Sequence, residues 1–466
     1  MAIRGALATL LAVLVSAALL LWPAVWNGYP LLFGDSGVYL TDGILLHMSW
    51  PRPLFYGLFM VPLHLETTIW PVVVAQALIV AVVLEAVIRC FLPGLARWVL
   101  VPVTIVLTLC TSLPWFVSQI MPDVFAGVIL LTLALLVLSP ARLGWAGRLV
   151  AVLATAAFIT MHSTFLLIAA AILIVLWLVR IWLRDRLRWA DVLRGVAVMG
   201  LAAVTVVGAN AWLTGQASLS PYGKNFLLTR VLLDGPGKRA LDRECPRPDW
   251  SLCAFKDRLP GTVDEVLFGD EGVLVQAGGY QKVAEQAWPI LLAAARAEPG
   301  ALLADAVRNM AAQFVTFRTG DALIVKMRAN EATWRTVFPE AEQERYFASK
   351  QYRLIPLVPN WLQAVHLGCA SVGLVVLVAG CWVALKRRRA LGGVYAAILA
   401  ALLANAFLTG ALSGVFDRYQ SRLVWLTVFA ALLMLLDWWR KLYRDRIGPA
   451  RALQGRRRPE LAEWRV

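Results

Sequence analysis

The chain has 466 residues, 60% of them hydrophobic, and 44 Lys and Arg against 29 Asp and Glu. A soluble domain has nowhere to bury that much apolar sequence, which excludes an ordinary globular enzyme and points to a membrane protein. The net charge of +15 would suit nucleic acid, but its placement argues against that partner.

Apolar runs of spanning length recur along the chain, and such runs in lipid must satisfy their own backbone. Leu166 to Leu178 and Leu374 to Leu385 show no alternation of period two, so helices are expected rather than barrel strands. The first run, Gly5 to Trp26, follows Arg4. Its apolar core is long for a signal peptide and no small-residue cleavage site follows, so an uncleaved first helix is expected. Ten helices are predicted: near Gly5–Trp22, Trp70–Arg89, Trp98–Leu113, Asp123–Leu138, Leu149–Thr160, Thr164–Leu183, Val192–Leu213, Pro359–Leu385, Leu391–Ala411 and Leu423–Trp439. Trp22, Trp26, Trp70, Trp98, Trp361, Trp438 and Trp439 fall near their ends, as interfacial aromatics do.

The connections divide by charge. Alternate loops and the tail hold 23 basic residues, including five from Arg180 to Arg194, four from Lys386 to Arg389 and nine from Arg440 on. The short loops on the other side hold three, Arg52, Arg418 and Arg422. By the positive-inside rule both termini are expected in the cytoplasm of a bacterial inner membrane, in a multi-pass arrangement. The predicted organisation is an N-terminal membrane domain of about seven helices (1–213), an extracytoplasmic soluble segment (214–357), about three C-terminal membrane helices (358–440) and a basic cytoplasmic tail (441–466). The soluble segment balances 18 basic against 17 acidic residues. Within it, Tyr280 to Phe317 reads as two amphipathic helices parted by Glu298-Pro299-Gly300.

The first outer loop, 27–69, holds Gly34-Asp35-Ser36-Gly37 with Tyr39 beyond it. It then holds Arg52-Pro53-Leu54-Phe55-Tyr56, which opens a short apolar stretch that suits a re-entrant or interfacial helix. Cys245 and Cys253, close together in an oxidising compartment, suggest a small disulfide loop; two free thiols are the other reading.

Ionisable groups at membrane depth are costly and therefore attract a functional reading. On the outer side these are Asp35, Asp42, His47, Arg52, His64, Glu66, Asp123, His162, Asp417, Arg418 and Arg422, drawn from four loops that would meet at one mouth of a helix bundle. Asp35 suits a general base or a metal ligand, and equally a cap for the helix that follows. Asp123 follows Pro122 as an ordinary helix start does. Arg418 and Arg422 lie four apart and would share a helix face able to hold a phosphate, or would pair locally and snorkel. His162 sits in a tight turn and could instead bond a carbonyl. No His or Cys cluster has zinc spacing, no glycine-rich loop carries a Lys for phosphate, and no Gly-x-Ser-x-Gly elbow occurs.

These features in this order resemble the GT-C superfamily of membrane glycosyltransferases, which includes protein O-mannosyltransferases and aminoarabinose transferases. They are the loop Asp35 with Tyr39, Arg52 to Tyr56, Pro122-Asp123, the break at His162 and Arg418-Tyr419. The resemblance covers Asn27 to Arg422 outside the soluble segment. It implies an all-α GT-C-like fold and a polyprenyl-phosphate sugar donor drawn from the lipid bilayer. Asp35 would activate the acceptor hydroxyl with help from Asp123. Arg418, His162 and Arg422 would hold the donor phosphate, with Tyr39, Arg52, Tyr56 and Tyr419 around the substrate. Transfer would usually invert the anomeric centre. Ser36 follows Asp35 where the family often has Glu, which leaves a divalent metal, Mg or Mn, in doubt. The acceptor would be an envelope glycan, lipid or protein. A transporter or flippase of a lipid-linked glycan and a non-catalytic envelope-assembly subunit are the rival readings.

Overall fold

The structure, a computed structural model, describes residues 2–49, 52–183, 189–246, 249–268, 271–321, 323 and 330–455. Among them the regular structure is helical, with one isolated parallel bridge between Leu31 and Gln119. Among the described residues seven helices are long and apolar enough to cross a membrane: Trp70–Phe91, Ala141–Thr160, Phe165–Trp182, Ala190–Thr214, Asn360–Lys386, Ala390–Ala411 and Asp417–Leu442. Gly5–Leu20, Arg97–Cys110 and Pro122–Leu138 are shorter apolar helices. The chain is a multi-pass helical membrane protein.

Each of the ten predicted segments is helical, and the main departure is at the last. That helix begins at Asp417 rather than Leu423 and its backbone continues to Gly455. The polar run Asp417 to Arg422 reads as loop, yet part of it is bonded inside the bundle. Asn405 Nδ2 donates to the Tyr419 carbonyl at 2.7 Å and Gln420 Nε2 to the Leu402 carbonyl at 3.3 Å. Of the tail 441–466, residues from 456 on lie outside the described residues.

The bundle packs around the Phe125–Leu138 helix, apolar on every side and buried along nearly its whole length, as a central helix must be. Gly127 on it faces Trp425, where an added Cβ would stand 2.5 Å from the indole. The soluble segment has its own core, built from Leu228, Leu241, Leu267, Leu274, Ile290 and Ala294 among others. Its two predicted amphipathic helices are Gly279–Ala297 and Pro299–Val315, broken where Pro299 opens the second. Cys245 and Cys253 are joined in a disulfide.

Two short helices in the first loop, Ser36–Leu45 and Phe55–His64, cross at Gly43 and Gly57. A Cβ on Gly57 would lie 2.5 Å from the Tyr39 carbonyl oxygen, and one on Gly43 would lie 2.5 Å from the Gly57 carbonyl carbon. Only glycine lets the two backbones approach this closely. The loop is also fastened from the far side of the chain. Gln351 bonds both the Leu32 amide at 2.9 Å and the Leu32 carbonyl at 2.7 Å. Asn330 accepts from the Gly37 amide at 2.6 Å and donates to the Phe33 carbonyl at 2.7 Å. The Tyr29 hydroxyl donates to Glu342 at 2.8 Å and accepts from the Trp334 indole at 2.9 Å. These contacts press the soluble segment onto the loop that carries Asp35.

Candidate functional site

Where the loop, the bundle and the soluble segment meet, they enclose a cavity of about 890 Å³. Asp35, Tyr39, Arg52, His162, Arg418 and Tyr419 all border it. Six of the nine residues singled out from the sequence as site residues are therefore brought together from four separate stretches of chain.

Asp35 stands at the N-cap position of the Ser36–Leu45 helix, but its side chain makes no capping bond. The tethering is done by Ser36, whose hydroxyl accepts from the Phe33 amide at 2.9 Å and donates to the Ile120 carbonyl at 2.8 Å. Asp35 borders the cavity, and its carboxylate pairs with Arg52. Burial works against the Arg52 charge, but Asp35 outweighs it and holds the guanidinium above its ordinary range. Burial, and then the nearby Asp35 charge, push the Tyr39 phenol well up, so Tyr39 is a neutral hydrogen-bonding group.

His162 enters from the turn between two spans. Its Nδ1 accepts from the Thr164 amide at 3.2 Å and lies 2.9 Å from the Thr164 hydroxyl. An N–H donor on Nδ1 places the ring proton on Nε2. Burial first, then the Arg422 charge, lower its pKa to about 3, so the ring is neutral.

Arg418 donates its backbone N–H to Asp321 at 3.2 Å. Its guanidinium lies over the Phe33 ring at 4.2 Å, and its Nη1 is buried with no hydrogen-bond partner among the described residues. A guanidinium held on an aromatic face at the edge of a cavity can meet an oxyanion there.

Three expected site residues sit elsewhere. Tyr56 is fully buried behind Tyr39, and its hydroxyl donates to Gln76 at 2.8 Å rather than into the cavity. Arg422 and Asp123 are also sealed, at 0% and 2% side-chain exposure, and pair with each other at 3.1 Å. Arg422 also donates to Asn405 Oδ1 at 2.7 Å and to the Thr164 hydroxyl at 3.3 Å. Neither Arg422 nor Asp123 borders the cavity. They form the wall behind His162. The periodicity that puts Arg418 and Arg422 on adjacent turns is right, but the two side chains diverge, one into the cavity and one into the bundle.

Thr164, Asn405, Phe33, Phe268 and Asp321 had no mark in the sequence; only the meeting of distant segments makes them part of the site. Phe268 stacks under the Arg52 guanidinium at 5.9 Å. Leu167, half-exposed on the Phe165–Trp182 span, also lines the cavity and gives it an apolar flank toward the lipid.

The donor set does not make a cation cage at Asp35. Its carboxylate is occupied by Arg52, the Ser36 hydroxyl is spent on Ile120, and Arg418 adds positive charge across the same space. Among the described residues no three His, Cys, Asp or Glu side chains gather as metal ligands.

The fold and cavity define a class: a multi-helix membrane protein with a charged pocket at the junction of its bundle and its soluble segment. Comparison with protein-family models, with curated proteins and with solved structures finds no match.

Proposed function

We propose that the chain is a GT-C-like glycosyltransferase. It would take a sugar from a polyprenyl-phosphate donor and pass it to an envelope glycan, lipid or protein on the outer face of a bacterial inner membrane. The three shorter apolar helices would cross as well, giving ten spans with both termini in the cytoplasm, as the charge count suggests. The observation that carries the reading is the opposition, around one cavity, of the Asp35 carboxylate and the Arg418 guanidinium.

The chemistry follows from that opposition. The acceptor hydroxyl oxygen forms a bond to the anomeric carbon while the bond from that carbon to the phosphate oxygen breaks. The hydroxyl proton passes to Asp35, and the electron pair leaves on the lipid phosphate. Arg418, with the His162 Nε2–H, meets the charge that grows there. Arg52 holds the base in position, and Tyr39 and Tyr419 flank the sugar. The apolar flank at Leu167 offers the lipid tail a way in from the bilayer. No metal is needed for these steps.

The test uses purified full-length protein, polyprenyl-phosphate sugar donors and membrane acceptors. Asp35→Asn should lower transfer about 10²–10⁴-fold while the protein remains folded and inserted. Near-normal transfer by Asp35→Asn removes the base assignment. A wild type inactive with every such donor returns the protein to the transporter or scaffold readings.

A further inference from the structure

A second cavity, of about 640 Å³, lies at the opposite end of the bundle. The Phe165–Trp182 helix joins the two. Leu167 lines the first and Arg180 the second, 13 residues on, so roughly 20 Å separate them along the axis. Trp145 and Trp182 are 76% and 63% exposed beside this end, where interfacial aromatics belong.

The described lining carries seven basic side chains, Arg142, Arg148, Arg180, Arg194, Arg389, Arg440 and Lys441, against two carboxylates, Asp191 and Asp437. The carboxylates are already shared. Asp191 serves Arg180 at 2.6 Å and also Arg194. Asp437 serves Arg389 at 3.0 Å, Arg440 at 2.9 Å and also Lys441. Arg142 and Arg148 meet no carboxylate among the described residues. Arg142 donates to the Cys90 carbonyl, and Arg148 donates to the Gly144 carbonyl at 2.9 Å. A carbonyl orients a guanidinium without cancelling its charge. Five positive charges in excess, gathered in a concave site between helices, call for an anion. Phe91, Leu138 and Leu391 form part of the same wall, so the anion should carry an apolar portion.

We propose that this cavity binds the phosphate of an anionic phospholipid from the leaflet on that side, with Arg142 and Arg148 supplying the unneutralised charge. A phosphate between helix ends gains about 1 kcal/mol from each basic residue near it, and a lipid brings it to that depth without a diffusional search. The site is separate from the cavity that holds Asp35 and does not depend on the glycosyltransferase reading.

The experiment follows the thermal unfolding midpoint of the full-length protein in neutral detergent. It is titrated with short-chain phosphatidylglycerol, short-chain phosphatidylcholine or inorganic phosphate. Phosphatidylglycerol should raise the midpoint saturably and phosphatidylcholine should not. Arg142→Gln with Arg148→Gln should weaken the apparent affinity about thirtyfold, which is two such charges lost. Arg142→Lys with Arg148→Lys should retain most of it, and added salt should weaken wild-type binding steeply. The Lys pair and the salt series carry the test if the Gln pair fails to fold. Equal shifts with phosphatidylcholine, undiminished affinity in the Gln pair or insensitivity to salt overturn the proposal. Inorganic phosphate matching the lipid at equal concentration overturns the lipid as occupant.

Discussion

Arg422 and Asp123, 299 positions apart in the chain, pair at 3.1 Å inside the bundle with both side chains closed to solvent. Arg422 also carries the polarity of the site wall outward. It donates to the Thr164 hydroxyl, and that hydroxyl in turn lies 2.9 Å from His162 Nδ1. A buried pair contributes little net stability while intact, but removing one partner strands a charge.

Arg422→Ala should therefore lower stability by about 3–5 kcal/mol. Arg422→Lys should recover little of it, because Lys cannot fork to Asp123 and Asn405 together. Arg418→Ala should leave the unfolding midpoint nearly unchanged and weaken donor binding instead. Thermal unfolding of the three purified variants separates the roles. A large stability loss in Arg418→Ala with none in Arg422→Ala would reverse the two assignments.

Gly57→Ala tests the crossing that aims Asp35 and Arg52 at the cavity. The new Cβ would meet the Tyr39 carbonyl oxygen at 2.5 Å, and backbone atoms cannot swing aside as a flexible side chain does. Overpacking of this kind costs about 1–3 kcal/mol. The expected outcome is a lower unfolding midpoint together with reduced transfer in protein that still folds. A midpoint equal to wild type would mean that the two helices separate freely.

How far the sequence reveals this arrangement depends on the range of each contact. Hydrophobic runs report burial locally, so the ten helical segments and the break at Pro299 are readable from the chain itself. Asp35, His162 and Arg418 stand out because charge at membrane depth is costly wherever its partner lies. Asn330, Glu342 and Gln351 are ordinary polar residues of a soluble segment until their partners near Phe33 and Tyr29, about 300 positions away, are known. Tyr56 stands in an outer loop and so reads as a substrate contact, whereas in the fold its hydroxyl donates to Gln76. Asp42 has no motif, yet it accepts from the Ser49 amide at 3.0 Å and from the Ser49 hydroxyl at 2.6 Å, so it fixes the loop.

Topology has a direct test. A reporter active only outside the cytoplasm should give signal when fused after Gly261 and none when fused after Arg389. The first site lies in an exposed turn of the soluble segment, and the second among four consecutive basic residues. Signal from the second fusion would invert the orientation and move the Asp35 cavity to the cytoplasmic side.

Cys245 and Cys253 should resist alkylation in intact membranes until a reductant is added. Losing the bond should relax only its neighbourhood, since the two cysteines are 8 positions apart and the closed loop is short. Labelling of both thiols without reductant would show that the bond is absent from the native protein.

The last prediction concerns His162 and has a definite sign. Its folded pKa of about 3 lies below the ordinary 6.5, so between these values the unfolded chain takes up a proton that the folded site refuses. Stability linked to this group is full above 6.5 and is lost as pH falls toward about 3. His162→Gln keeps a side chain that can accept from Thr164 but cannot be protonated. The stability gap between wild type and His162→Gln should therefore change across this acid window, with wild type losing ground as pH falls. Above 6.5 the gap should be flat with pH. Donor binding should likewise show no inflection near 6.5 that disappears in His162→Gln, because the ring is already neutral there. An inflection of that kind, together with a flat stability gap in acid, would mean that His162 carries a proton in the folded protein and meets the phosphate as a cation.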